Sequence, residues 1–285
     1  MTSAGFMRVI WRQPMARFGL LLVSALLAAA ALAPLLAPMS PNQCMLSSEL
    51  AAISTAHPFG ADPSGCDILS RVLYGARISL KVGVLVVGIS CGFGVTLGML
   101  SGYFGGALDR VLMFILECFQ AFPGILLAIL ITALFEQRSI NLVIVALCIT
   151  GWNSYARLAR GQTLTLREQE YVTAARALGM GPIRILTREI APNLLSPVLV
   201  QATFGMATAI LAEAGLSFLG LGAPPEVPSW GAMLNEGRHY MLVAPHISVF
   251  PGLAIMLVVL GFNFLGDGLR DALDPKNQAG PAQTR

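Results

Sequence analysis

The chain has 285 residues, of which 55% are apolar and only 12% charged, with a formal net charge of +3. Ordinary soluble domains carry about 25% charged residues, and a chain this apolar has too little polar surface to cover a water-facing core. There is no basic tract and no interleaving of basic with aromatic residues, which argues against a nucleic-acid partner. Apolar stretches close to the roughly 20 residues of a bilayer-crossing helix recur at about 18–37, 80–100, 110–134, 140–157, 194–221 and 246–266. They predict an all-α membrane protein with six transmembrane helices. The first stretch follows Arg8, Arg12 and Arg17, the layout of a secretory leader. Its apolar run is longer than a leader's and further spans follow it, so it is read as a retained helix.

Arginines set the orientation. Arg157, Arg160, Arg167, Arg176, Arg184 and Arg188 crowd the segment between the fourth and fifth spans, whereas Glu136 with Arg138, and Glu226 and Glu236 with Arg238, balance the other side. Excess Lys and Arg marks cytoplasmic loops, so both termini and residues 158–193 are expected in the cytoplasm. The chain then divides into a cytoplasmic segment 1–17, a first span 18–37, a periplasmic segment 38–79, a five-helix core 80–266 that includes 158–193, and a cytoplasmic tail 267–285.

The second span and its exit repeat small residues every fourth position, Gly88 and Gly92, then Gly94, Gly98, Gly102 and Gly106. This spacing lets helix backbones approach closely in lipid; packing within the chain is preferred over a seam between subunits. Pro197, Gly205, Gly215 and Gly220 are expected to interrupt the fifth span.

Residues 163–193 are too polar to span and read as two short helices. Thr165 with Glu168 reads as a capping box that starts the first. Tyr171, Ala174, Ala175 and Leu178 then fall on one face, Gly179 and Gly181 end that helix, Pro182 opens the next and Pro192 closes it. A lipid-surface helix would carry bulkier apolar groups than alanine. The small-residue face with its basic flank is expected to dock into a groove on another protein.

The run Glu170-Tyr171-Val172-Thr173-Ala174-Ala175-Arg176-Ala177-Leu178-Gly179, with Pro192 thirteen residues beyond the glycine, resembles the EAA loop of binding-protein-dependent ABC importer permeases. Further blocks are similar to the second permease of dipeptide, oligopeptide and nickel importers. They include His57-Pro58-Phe59-Gly60-Ala61-Asp62, Ser101-Gly102-Tyr103-Phe104-Gly105-Gly106, Glu213-Ala214-Gly215-Leu216-Ser217-Phe218-Leu219-Gly220 and Pro228-Ser229-Trp230-Gly231, in family order from about residue 8 to 276.

The resemblance implies a type I importer permease fold in the bacterial inner membrane, with Glu170, Tyr171, Thr173, Ala174, Ala175, Arg176, Gly179 and Pro192 forming the ATPase-coupling segment. It implies as partners a homologous second permease in a heterodimer, two cytoplasmic ATPases and a periplasmic or lipid-anchored solute-binding protein, with membrane lipid around the spans. ATP and Mg are used by the partner ATPases, so the chain binds no cofactor of its own. Short peptides are the expected cargo, ahead of nickel chelates and opine-like compounds. Two positions depart from the family pattern: Thr173 replaces a frequent glutamate, and Cys66 a usual arginine. Cys44 and Cys66 would both face the periplasm, where disulfides form; spacing leaves a disulfide and two free thiols both open.

The two lysines, Lys81 and Lys276, do not follow glycine, so the chain has no P-loop. No Cys/His cluster marks a metal site, and His57, His239 and His246 read as loop residues. Glu117 and Glu213 are the carboxylates inside spans, and intramembrane carboxylates are functional candidates. A structural role is expected for Glu213, whereas Glu117, close to the cytoplasmic face, is placed to reach the interface. An ion-coupled secondary transporter is the alternative reading. It calls for titratable relays and internal repeats that the sequence does not display.

Overall fold

The computed structural model describes residues 13–135 and 138–273. Arg8, Arg12, Glu136, Lys276 and the outer parts of both terminal segments lie outside them. The described residues form helices and no β-strand: α1 Pro14–Leu36, α2 Ile68–Phe104, α3 Gly106–Gln120, α4 Gly124–Ala133, α5 Ile140–Leu166, α6 Glu170–Ala177, α7 Pro182–Phe218, α8 Trp230–Gly237 and α9 His246–Leu273. Among them α1, α2, α5, α7 and α9 are each long and apolar enough to cross a membrane.

The expected single third span is instead two helices, α3 and α4, bent by 79°. Pro123 causes the break, since its ring disfavours a helical Phe122 and it has no N–H to continue the ladder. Six spans therefore result when the bent pair counts as one. The second span also starts well before residue 80, because Asp67 caps α2 by accepting from the Ser70 backbone at 2.8 Å.

α2 and α5 form the tightest seam. A Cβ at Gly94, Gly98 or Gly102 would overlap the backbone carbonyls of Trp152, Ala156 and Arg160, so these glycines serve packing inside the chain. Gly88 and Gly92 face open space. At the far end of the seam Gly105 and Gly106, with φ of 65° and 62°, turn the chain into α3, a conformation that favours glycine. Arg160 then bonds Asp109 of α3 at 2.7 Å through Nη2, and Arg167 donates to the Gly102 carbonyl at 2.8 Å.

Prolines inside the long helices do not interrupt them. α7 runs through Pro192 and Pro197, contrary to the expected breaks at Pro192 and along the fifth span. A π-turn at Leu186–Ile190 widens the helix just ahead of Pro192 and relieves the clash its ring would make in a regular helix. In α1, Pro34 lacks the N–H that would bond the Ala30 carbonyl, and Arg77 of α2 donates to that oxygen through Nε at 2.6 Å. α9 packs on α1 through Gly261 and Gly268, each pressed against α1 residues.

The loops at one end of the bundle fold into a cap. Residues 38–67 are joined by a Cys44–Cys66 disulfide and by the pairings Cys44↔Cys66 and Ala61↔Asp67. The buried Asp67 binds His57 Nδ1 at 3.1 Å and the Ser70 hydroxyl at 2.7 Å, and Ser70 Oγ accepts from the Met39 backbone. One buried cluster thus links the exit of α1 to the start of α2. Trp230 of α8 seals the cap from above α2, donating to the Val72 carbonyl at 2.9 Å.

Candidate functional site

At the end of the bundle opposite the cap, α6 lies across the ends of α5 and α7. Thr165 does not cap it. α5 continues through that position, with the Thr165 hydroxyl turned back to the Gly161 carbonyl, and Gln169 stands at the N-cap of α6 instead. Thr165 sits in the last turn of α5, and Glu168 falls just beyond that helix's C-cap. Glu170 lies in the first turn, where the helix dipole favours an acid. The end is a Schellman turn: Gly179 N–H bonds Arg176 O at 2.9 Å, Met180 N–H bonds Ala175 O at 3.1 Å, and Gly179 has a φ of 79°.

The inward face of α6 is Val172 and Ala175, packed with Ile185, Leu186, Ile190 and Leu194. Ala175 is therefore not on the expected outward stripe; its side chain fills the chain's own core. Arg176 is held by its own chain as well, 5.2 Å over the ring of Tyr103. Tyr171 is partly tied by Asn193, whose amide donates to its hydroxyl at 3.2 Å. Thr173 bonds back to the Gln169 carbonyl. What remains outward is Tyr171, Ala174 and Leu178, with Leu178 82% and Ile183 76% exposed, and Pro192 on the exposed side of α7. Two bare aliphatic side chains beside Arg184 and Arg188 are costly in water and characteristic of a contact surface.

Midway along the bundle a cavity of about 520 Å³ opens between α2, α4, α5 and α7. Ser90, Thr150, Asn153, Tyr155, Gln201 and Thr208 give it uncharged polar groups among apolar walls. Gly205 leaves room for the Tyr155 hydroxyl, which is buried without a hydrogen-bond partner. In the cap, a second cavity of about 700 Å³ lies between the disulfide-joined loop, the turn after α7, and α8.

The sequence profile described as "Binding-protein-dependent transport system inner membrane component" matches residues 94–278. The dipeptide transport system permease protein of Alkalihalophilus pseudofirmus is 45% identical over 265 residues, covering 93% of this chain and 87% of that protein. The glutathione transport system permease protein of Escherichia coli is 47% identical over 272 residues, covering 95% and 89%.

The chain belongs to this transport-permease family. Its fold is that of the MetNI methionine ABC transporter in an inward-facing crystal form, with a TM-score of 0.57 at 20% identity over 71% of this chain and 96% of that one. As an inner membrane component it is a multi-pass membrane subunit, and the bare apolar flank of α1, α2 and α3 at Leu21, Phe93 and Phe114 fits lipid or a neighbouring subunit.

The two candidate carboxylates of the spans lie in different surroundings. Glu117 is exposed on the outside of α3, three residues before its end. Glu213 is fully buried in α7, where Oε1 accepts from Ser217 at 2.7 Å and from Ser229 at 2.8 Å; Oε2 has no partner. Neither lines the central cavity. Both donors are side-chain hydroxyls, and Ser229 is the N-cap residue of α8. Of the three expected loop histidines, His57 bonds Asp67 and His239 accepts from Arg238, whereas His246 opens α9 with its Nε2 buried and without a hydrogen-bond partner.

Sequence reasoning missed Ile183, Asn153 and Gln201. A lone isoleucine after a helix-opening proline was the available signal for Ile183. Asn153 and Gln201 are amides inside apolar spans, and polarity at that depth marks them.

Proposed function

We propose that this chain is half of the translocation pathway of an ATP-driven importer of short peptides, coupled to separate ATPase subunits through α6. The observation that carries the reading is the exposed Tyr171–Ala174–Leu178 face with Ile183, fixed to the bundle by Val172 and Ala175. A helix anchored on one side and bare on the other transmits force in a way a mobile loop does not. Closure of the ATPases would move α6; its buried side would carry α5 and α7 with it, and the Asp109–Arg160 pair would pass the motion to α3.

The central cavity is the proposed substrate passage. Its charge-free polar lining suits a solute that must bind weakly and leave, and its open side would be completed by the homologous second permease. The peptide assignment is supported by the dipeptide and glutathione relatives. The two coupling surfaces of the permease pair would each take one ATPase, and a solute-binding protein would deliver cargo at the cap, which the arginine distribution puts in the periplasm. ATP and Mg would remain with the ATPases, and this chain would perform no catalysis.

The test is tagged purification from gently solubilised membranes, followed by reconstitution. The expected result is copurification of a second permease and P-loop ATPases, with peptide uptake that requires ATP. Uptake driven by a proton gradient with this chain alone would overturn the proposal.

A further inference from the structure

The charges around the cap cavity do not balance where they stand. Asp62 is buried and saturated: Oδ1 accepts from the Ser64 and Cys66 backbones at 2.9 Å each, and Oδ2 accepts from Arg71. The same Arg71 Nη1 lies 3.5 Å from Glu236 Oε2. Two carboxylates therefore share one guanidinium, and the excess negative charge rests on Glu236, whose side chain is 31% exposed to the cavity. Burial, followed by the charge of Asp62, pushes the Glu236 carboxyl above the usual range in spite of Arg71.

On the same cavity Arg138 has no acidic partner among the described residues. Its guanidinium lies beside Gly220, which has a φ of 76°. Arg238, the other rim cation, is engaged by the Phe218 ring and His239. The cavity thus offers Glu236, which shares its cation with Asp62, a second carboxylate in Glu226, and Arg138, a cation with no acidic partner among the described residues, in a volume of about 700 Å³. That size is typical of small-solute sites and too small for a folded partner.

We propose that the cap cavity binds a zwitterionic short peptide, with Glu236 receiving the ammonium end and Arg138 the carboxylate end. The inference rests on the peptide-importer reading and deepens it: the permease itself samples the solute's two termini before the central passage. Neither residue lies in the coupling segment or the central cavity.

The test uses the complete transporter, purified with its partner subunits but without the solute-binding protein. The probe is the dipeptide taken up fastest, from a panel, by the proteoliposome-reconstituted transporter with its binding protein present. Saturable binding of that labelled dipeptide is expected, weakened at least tenfold in Glu236→Gln and in Arg138→Gln, and competed by the free dipeptide but not by its N-acetyl, C-amide form. A transporter that imports the dipeptide with ATP, yet binds none in this assay or binds it equally in both variants, overturns the cavity assignment alone. Equal competition by the blocked dipeptide overturns recognition of the termini. If no peptide of the panel is imported, the underlying reading falls first.

Discussion

Ala175 and Leu178 are three residues apart on one short helix and have opposite environments. Ala175 touches the chain's own core, whereas Leu178 touches nothing of it. Leu178→Asp is expected to leave thermal stability within about 0.5 kcal/mol of the parent, while ATPase copurification and ATP-driven uptake fall at least tenfold. Ala175→Asp is expected to lower the unfolding temperature and the folded yield, because it buries an unpaired charge. A Leu178→Asp variant with normal uptake would remove α6 from the coupling role. Glu213 makes a comparable contrast. Glu213→Gln keeps an acceptor for Ser217 and Ser229, whereas Glu213→Ala strands both hydroxyls at a cost of about 1–3 kcal/mol each. Calorimetry on the two variants separates a bonding role from one that needs the charge, since transport through Glu213→Gln should persist.

Lipid allows few ways to satisfy a backbone, so the positions of the long helices were legible from hydropathy alone. Their ends and interruptions were not. Pro123 breaks the third span while Pro192 leaves α7 running, where a π-turn that hydropathy does not report precedes it. The Gly94–Gly98–Gly102 seam was legible as a spacing, but Gly88 and Gly92, spaced the same way, face open space, because only neighbouring helices decide which face is covered. Gly98→Val is expected to cost about 3 kcal/mol or more by forcing α2 off the Ala156 backbone, whereas Gly88→Val in the isolated chain should cost little; melting of the two purified variants checks the contrast. The inward side of α6 was illegible for the same reason, since it depends on Ile185 and Leu194 folding back from α7. In the cap, Glu236 predicts a pH dependence. Its folded carboxyl holds a proton at pH values where the unfolded one has lost it, so its contribution to stability is greatest below that window and declines as pH rises through it. Glu236→Gln should flatten that decline in a pH series of unfolding temperatures.

Across the whole molecule, the two ends of the bundle are held by separate sets of interactions. The disulfide and the His57–Asp67–Ser70 cluster hold the cap; the Asp109–Arg160 pair and the α6 core hold the other end. Loss of a crosslink across 22 residues is worth about 3 kcal/mol on chain entropy. The Cys44→Ser, Cys66→Ser double variant should therefore make the cap more sensitive to protease while ATPase copurification stays at parental levels. A drop in ATPase binding would mean the ends are mechanically one unit.

The bond from Arg77 to the Ala30 carbonyl also bears on how the chain is made. Emerging from the ribosome before α2, α1 carries an oxygen that Pro34 has deprived of its helical donor, and the group that satisfies it lies 47 residues downstream. Until α2 arrives, that carbonyl has only water or headgroups to bond, which keeps the tail of α1 near the translocon's aqueous side. Insertion should proceed as a hairpin of α1 with α2, completed when the guanidinium reaches Ala30, and nascent chains halted before residue 77 should be extractable from the membrane more readily than those halted beyond it.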